Sequence, residues 1–147
     1  MIKLRELEEK DLPFLLEVRN DKSTRRWLEN NKKFTLKQCE KWFENLKSKW
    51  FIIEDNTVKV GYVRTSDETD VSIYIGCDIH PDSRRKGYAW QALKMILDKY
   101  KDKNIFLWVF LNNAIANTLY LNLGFRITGR EKVVRNQIYL EMQYNPF

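Results

Sequence analysis

An apolar run from Val71 to Ile79 leads through Pro81-Asp82-Ser83-Arg84-Arg85-Lys86-Gly87 into an amphipathic segment. Val71, Ile73, Ile75, Cys77 and Ile79 share one parity, which predicts a strand with one buried face. Gly76 interrupts that strand, and an interior glycine marks a bulge or a close backbone approach. After the turn, Ala89, Leu93, Ile96, Leu97 and Tyr100 recur at helical spacing, so a helix is expected from about Lys86 to Tyr100. The unpaired N–H groups of a first helical turn attract anions, and the macrodipole adds about half a positive charge there. Arg84, Arg85, Lys86 and Gly87, with Tyr88 and Ala89 behind them, therefore read as a phosphate cradle. A solvated basic turn would use the same residues.

The rest of the chain supplies layers for this strand–turn–helix unit. Ile2 and Leu4 alternate with charges over Met1 to Leu7, the pattern of a half-buried strand. Asp11 is placed to cap a helix with Pro13 in its first turn, burying Leu12, Leu15 and Leu16 and ending near Asn20. Residues 21–33 are charged and irregular, with room for a short helix and with Trp27 and Leu28 as anchors. Thr35-Leu36-Lys37-Gln38 is a capping box, and Cys39, Trp42, Phe43 and Leu46 follow it on one face of a helix expected to reach about Ser48. Trp50 to Glu54 and Val58 to Arg64 form a hairpin around Asp55-Asn56-Thr57. Ile105 to Leu111 is apolar on both parities, which suits a strand covered on both faces. Asn112 or Asn113 caps a helix that Gly124 stops. Phe125 to Thr128 and Val133 to Tyr144 make a last strand pair around Gly129-Arg130-Glu131-Lys132. No repeat or linker divides the chain, so residues 1–147 read as one domain of mixed α/β layers.

The net charge is +6, which favours an anionic partner: nucleic acid, a membrane surface or a phosphorylated small molecule. The cations are spread along the chain, which speaks against nucleic acid. Two cysteines, no CxxC and a single histidine leave no disulfide framework or zinc cage. The charged opening Lys3, Arg5, Glu6, Glu8, Glu9 is unlike a signal peptide, and Ile105 to Leu111 is too short to span a bilayer. A soluble, cytoplasmic protein with no membrane partner is the expectation.

A second motif lies downstream: Asn113-x-x-Ala116-x-x-Leu119-Tyr120-x-x-Leu123-Gly124-Phe125. Together with Arg84-x-x-Gly87-x-Ala89 it resembles the GNAT superfamily of N-acetyltransferases, and the order of elements agrees along essentially the whole chain. The resemblance implies the acyl-CoA N-acyltransferase fold, a mostly antiparallel sheet of six to seven strands with a splayed central strand and helices on both faces. It implies acetyl-CoA as cosubstrate, held at its pyrophosphate by Arg84 to Ala89 and along its pantetheine by Cys77-Asp78-Ile79 and Asn113. The Ile79 N–H would face the thioester carbonyl, where a donor stabilises developing charge. Cys77 is then packing rather than a nucleophile. Tyr120 matches the family tyrosine that protonates the departing thiolate, a sensible transfer from a phenol of pKa about 10 to a thiol of about 8.5.

The family pattern breaks at the general base. Ribosomal-protein N-acetyltransferases of the superfamily carry a glutamate where this chain has Trp108. Asp78, His80 or a water chain remain as candidates. On the acceptor side, Arg19, Asn20 and Arg25 resemble the branch that includes amino-sugar-nucleotide N-acetyltransferases. That suggests a small primary amine, with a nucleotide sugar as one form of it and Arg19 and Arg25 on its phosphates. Arginine stabilising the C-terminal dipole of the first helix is the alternative. A protein N-terminus as acceptor, and a non-catalytic acyl-CoA-binding module, stay open, as does the choice between monomer and homodimer.

Overall fold

The computed structural model describes residues 1–145. Seven strands form one sheet: β1 (Ile2–Glu6), β2 (Phe51–Asp55), β3 (Val58–Ser66), β4 (Ser72–Ile79), β5 (Asn104–Phe110), β6 (Phe125–Val134) and β7 (Gln137–Tyr144). Their order is β1-β2-β3-β4-β5-β7-β6. β4 and β5 run parallel and the other neighbouring pairs antiparallel, the mixed sheet expected from the family resemblance.

Five helices connect the strands: α1 (Leu12–Asn20), α2 (Lys22–Arg25), α3 (Leu36–Glu44), α4 (Tyr88–Lys99) and α5 (Ala114–Leu123). Leu93, Ile96 and Leu97 of α4 and Tyr120 and Leu123 of α5 pack with Ile73, Ile105 and Leu107 on one face of the sheet. On the other face Leu12, Leu15, Leu16 and Val18 of α1 and Cys39 of α3 cover Ile52 and Tyr62.

Most local signals act as written. Thr35 Oγ1 accepts the Gln38 N–H and the Gln38 side chain answers at Thr35 N–H, the reciprocal cap that starts α3. Asn56 and Thr57 both adopt positive φ (55° and 75°), the conformation a two-residue hairpin turn requires between β2 and β3.

Four expectations are corrected. α3 stops at Glu44 rather than near Ser48, where Asn45 leaves helical geometry and its side chain takes the Lys41 carbonyl at 2.9 Å. β5 is covered fully on one face only: Phe106 and Trp108 stay half-buried. The last hairpin turns at Arg135-Asn136 (φ 49° and 62°), not at Gly129 to Lys132; Gly129 (φ 98°) instead sits where the β6–β7 register shifts, inside β6. Asp11 does not cap α1. Its carboxylate is fully buried, takes two hydrogen bonds from Arg5 at 2.8 Å, lies 2.7 Å from the Lys59 ammonium and accepts the Glu8 N–H at 2.8 Å.

Burial alone would raise the Asp11 carboxyl, but Arg5, Lys59 and the Glu8 amide outweigh it and hold it well below the usual carboxylate range. Its stabilising effect is therefore present above the unfolded pKa of about 3.9 and is lost as pH falls toward the folded value. Asp11→Ala leaves Arg5 and Lys59 without their shared partner. A loss of about 3 kcal/mol is expected in urea denaturation at pH 7. The gap between variant and parent should close as the pH is lowered below about 3.

Candidate active site

The site begins where the sheet opens. β4 and β5 pair at Ser72/Asn104, Ile73/Ile105 and Tyr74/Phe106, and the ladder then ends although β4 continues to Ile79 and β5 to Phe110. The His80 N–H donates to the Val60 carbonyl at 2.8 Å. Bonded and non-bonded pairs alternate in an antiparallel ladder, so Asp78 and Gly76 turn their backbones toward β3 while Cys77 and Ile79 turn theirs away, into the wedge. The wedge thus holds two strand amides with no strand to receive them. The Cys77 thiol is pushed well up by burial and stays protonated, as a packing residue rather than a nucleophile.

Below the wedge lies the glycine turn. Gly87 is the N-cap of α4 at φ 79°, ψ 12°, a left-handed conformation that favours glycine. The first intrahelical bond runs from the Gln91 N–H to the Gly87 carbonyl at 3.1 Å, so the amides of Tyr88, Ala89 and Trp90 come before it and point out of the helix end. A Cβ at Gly87 would meet nothing nearer than the Gln91 amide at 3.8 Å. Arg85 and Lys86 are exposed beside this opening. Bare amides, an open glycine and two exposed cations fit a pyrophosphate.

Arg84 takes a different place. Its Nε donates to the Ile79 carbonyl at 3.1 Å, Nη1 to Ser23 Oγ at 2.6 Å and Nη2 to Thr24 Oγ1 at 2.9 Å. The side chain expected on a phosphate instead ties α2 to the end of β4. The Tyr88 hydroxyl likewise bonds Asp55 and anchors α4 to the β2–β3 turn, so its backbone amide is what it offers a ligand.

On the other side of the wedge, Asn113 caps α5 by accepting the Ala116 N–H at 3.3 Å. Tyr120 packs in the α4–α5 core edge to face with Phe125, the ring centroids 6.0 Å apart. Its hydroxyl has no hydrogen-bond partner among the described residues. Burial is the chief influence on it and raises its pKa, so the phenol keeps its proton.

The two base candidates are both committed elsewhere. His80 Nδ1 accepts the Asp82 N–H at 3.1 Å, Nε2 lies 3.0 Å from Glu17, and the ring stacks on Phe14 at 6.0 Å. With Nδ1 accepting, Nε2 carries the proton toward Glu17, and no free lone pair faces the wedge. Asp78 forms an ion pair with Arg64, Oδ2 to Nε at 3.0 Å. The three residues expected to bind the acceptor hold the chain instead. Arg19 donates to the Lys32 and Asn30 carbonyls at 2.7 and 2.9 Å. Asn20 brackets Phe34 through both its backbone groups, and Arg25 bonds the Asn20 and Asn31 carbonyls at 2.8 and 3.0 Å. Together they clamp residues 30–34 against α1.

Sequence reasoning missed Arg64 of β3. Its guanidinium lies flat on Gly76: a Cβ there would sit 2.4 Å from Nη2 and 2.5 Å from Cζ. The close approach signalled by Gly76 is therefore made by the chain's own arginine. Burial opposes the Arg64 charge, but Asp78 beside it more than compensates and keeps it protonated. Arg64 lines a cleft of about 460 Å³ together with Trp50, Tyr74, Ile75, Trp108 and Tyr139. Trp108 faces Glu141 across the β5–β7 ladder. That buried carboxylate is filled by the Tyr74 hydroxyl, Thr128 and Arg130. At the rim, Lys132 pairs with Glu29 at 2.9 Å and lies 4.5 Å over the Trp108 ring.

No helix among the described residues is long and apolar enough to cross a membrane. No curated protein sequence matches the chain. Its fold is shared with several solved structures. The Vibrio cholerae spermidine N-acetyltransferase in complex with CoA and spermine superposes with a TM-score of 0.86 at 23% identity, over 97% of this chain and 94% of that one. A ribosomal-protein-alanine N-acetyltransferase from Brucella melitensis gives 0.81 at 21% identity, over 96% of this chain and 98% of that one. The Salmonella typhimurium protein yncA, solved with its cofactor acetyl-CoA, gives 0.79 at 20% identity, over 99% and 94%. At such identities the likeness is one of fold. The family model for the acetyltransferase (GNAT) domain matches residues 2–126, which contain the wedge, the glycine turn and the Asn113 helix, and the chain belongs to the GNAT acetyltransferase family.

Proposed function

We propose that this protein moves the acetyl group of acetyl-CoA to the primary amine of a small molecule by direct attack in a ternary complex. The observation that carries the reading is the early end of the β4–β5 ladder, which leaves the Cys77 and Ile79 amides open above a left-handed glycine at a helix start. The Gly87, Tyr88 and Ala89 amides with Arg85 and Lys86 would hold the cofactor's pyrophosphate, and Cys77, Ile79 and Asn113 its pantetheine arm. Bound there, acetyl-CoA supplies an activated thioester. The strand amides orient its carbonyl and stabilise negative charge on the oxygen. Tyr120, protonated and with no hydrogen-bond partner for its hydroxyl among the described residues, gives its proton to the departing sulfur.

With both His80 nitrogens committed and Asp78 paired with Arg64, the amine loses its proton to solvent. An amino-sugar nucleotide is the less supported acceptor, because the Arg19, Asn20 and Arg25 donors meant for it are occupied by residues 30–34. The test combines acetyl-CoA titration by calorimetry with thiol release on a panel of amino acids, amino-sugar nucleotides, polyamines and peptide N-termini. Binding with transfer to one class is expected. Tight binding with no transfer to any amine would make the protein a non-catalytic acyl-CoA-binding module.

A further inference from the structure

We infer that the acceptor is an α-amino acid with an apolar or aromatic side chain, its carboxylate held by Arg64. This rests on the acetyltransferase reading above and names the substrate for the same site. Arg64 is the only arginine lining the cleft, among the described residues, whose terminal nitrogens are unspent: Arg19 donates both of its own to backbone carbonyls. The Arg64 Nε lies 3.0 Å from Asp78 Oδ2 as an ion pair without hydrogen-bond geometry, and none of the three guanidinium nitrogens has a hydrogen-bond partner among the described residues. A half-buried guanidinium, its Nε covered and two parallel donors left over, matches a carboxylate bidentately. Gly76 is the device that admits it, since any side chain there would collide with the guanidinium.

Place decides that the amine sits next to the anion. The Arg64 guanidinium lies over Gly76 and reaches Asp78, the two residues that flank Cys77, so a carboxylate on Arg64 lies beside the Cys77 amide that opens into the wedge. An amine on the adjacent carbon reaches the thioester; one at the far end of a long chain does not. The α-nitrogen gains the acetyl group and loses a proton, and CoA leaves as the thiol.

The walls decide the side chain. Tyr74 stacks with Trp108 at 6.5 Å and 7°, and Trp108 with Tyr139 at 5.5 Å and 20°, giving a row of aromatic rings along the cleft that Arg64 also lines, with the Lys132 ammonium over Trp108 at the rim. The volume, about 460 Å³, falls within the range of small-molecule sites, roughly 300–1,000 Å³.

The test compares each amino acid with its own amide and its decarboxylated amine: phenylalanine, methionine and tryptophan, followed by thiol release at fixed acetyl-CoA. In the parent protein the carboxylate should raise kcat/KM on the order of 10- to 100-fold, the effect of hydrogen bonds to a charged group. Arg64→Gln and Arg64→Lys should remove that preference, chiefly through KM. Calorimetry of the CoA-loaded protein with N-acetylphenylalanine and with its amide gives a readout independent of turnover and should show the same preference. Equal rates for acid, amide and amine in the parent protein would overturn the inference and leave the acetyltransferase reading intact. Transfer to none of them, with transfer to other amines, would do the same. No transfer to any amine at all would sink both. The parent comparison needs no variant, so it stands even if Arg64→Gln fails to fold with Asp78 left unpaired.

Discussion

Gly87→Glu should abolish acetyl-CoA binding while leaving the fold in place. Two effects add. A non-glycine residue held at φ 79° costs about 1–2 kcal/mol. The larger effect is charge: a carboxylate placed at the mouth of the helix start competes for the amides and repels a pyrophosphate. Two like charges 4 Å apart at an effective dielectric near 20 cost about 4 kcal/mol, on the order of 100- to 1,000-fold in affinity. The new side chain points into open space, so the helix behind it has no reason to unfold. Gly87→Ala separates the two effects, because it carries the backbone cost without the charge, and about a tenfold loss is expected. Calorimetry on both variants, with circular dichroism as the check on folding, reads this directly. Normal affinity in Gly87→Glu would move the phosphates away from this turn.

What the sequence could and could not disclose follows from the range of each interaction. The capping box at Thr35, the Asn113 cap, the Gly124 stop and the glycine turn are local devices: a few neighbouring residues suffice to specify them. All but the Thr35 box also lie in the family motifs, which is why the cofactor side of the candidate site is legible in the sequence. The acceptor side depends on register. Arg64 meets Gly76 only because β3 and β4 pair Arg64 with Gly76, and nothing within either strand discloses that partner. The one signal is a single charged residue in the run from Val60 to Thr65, together with a strand-interior glycine at Gly76 that needs a reason. Arg19, Asn20, Arg25 and Arg84 mislead for the converse cause. The family resemblance points to Arg19, Asn20 and Arg25 for the acceptor and to Arg84 for the cofactor phosphates, but their donors are satisfied by backbone carbonyls and hydroxyls brought near only by the tertiary fold. Asp11 is the same case: written like a helix cap, it is captured by Arg5 and Lys59.

That the base is not a side chain at Trp108 or a free His80 shifts the weight of catalysis onto the leaving group. Tyr120→Phe should therefore lower kcat by about 100- to 10,000-fold, the usual span for removing a general acid. Acetyl-CoA affinity should stay within about twofold, since the hydroxyl makes no bond within the described protein and its ring packing is retained. The pH profile adds a readout that packing alone cannot mimic. Burial raises the Tyr120 pKa above the ordinary value of about 10, so the phenol is protonated across the working range and does not itself set an alkaline limb below that value. A parent enzyme whose kcat rises with pH through the ionisation of the amine and then holds level fits this assignment. An alkaline fall centred well below pH 10 that disappears in Tyr120→Phe would show a phenol far more acidic than its surroundings permit. Unchanged kcat in the variant would take Tyr120 out of the proton transfer and leave solvent to protonate the thiolate.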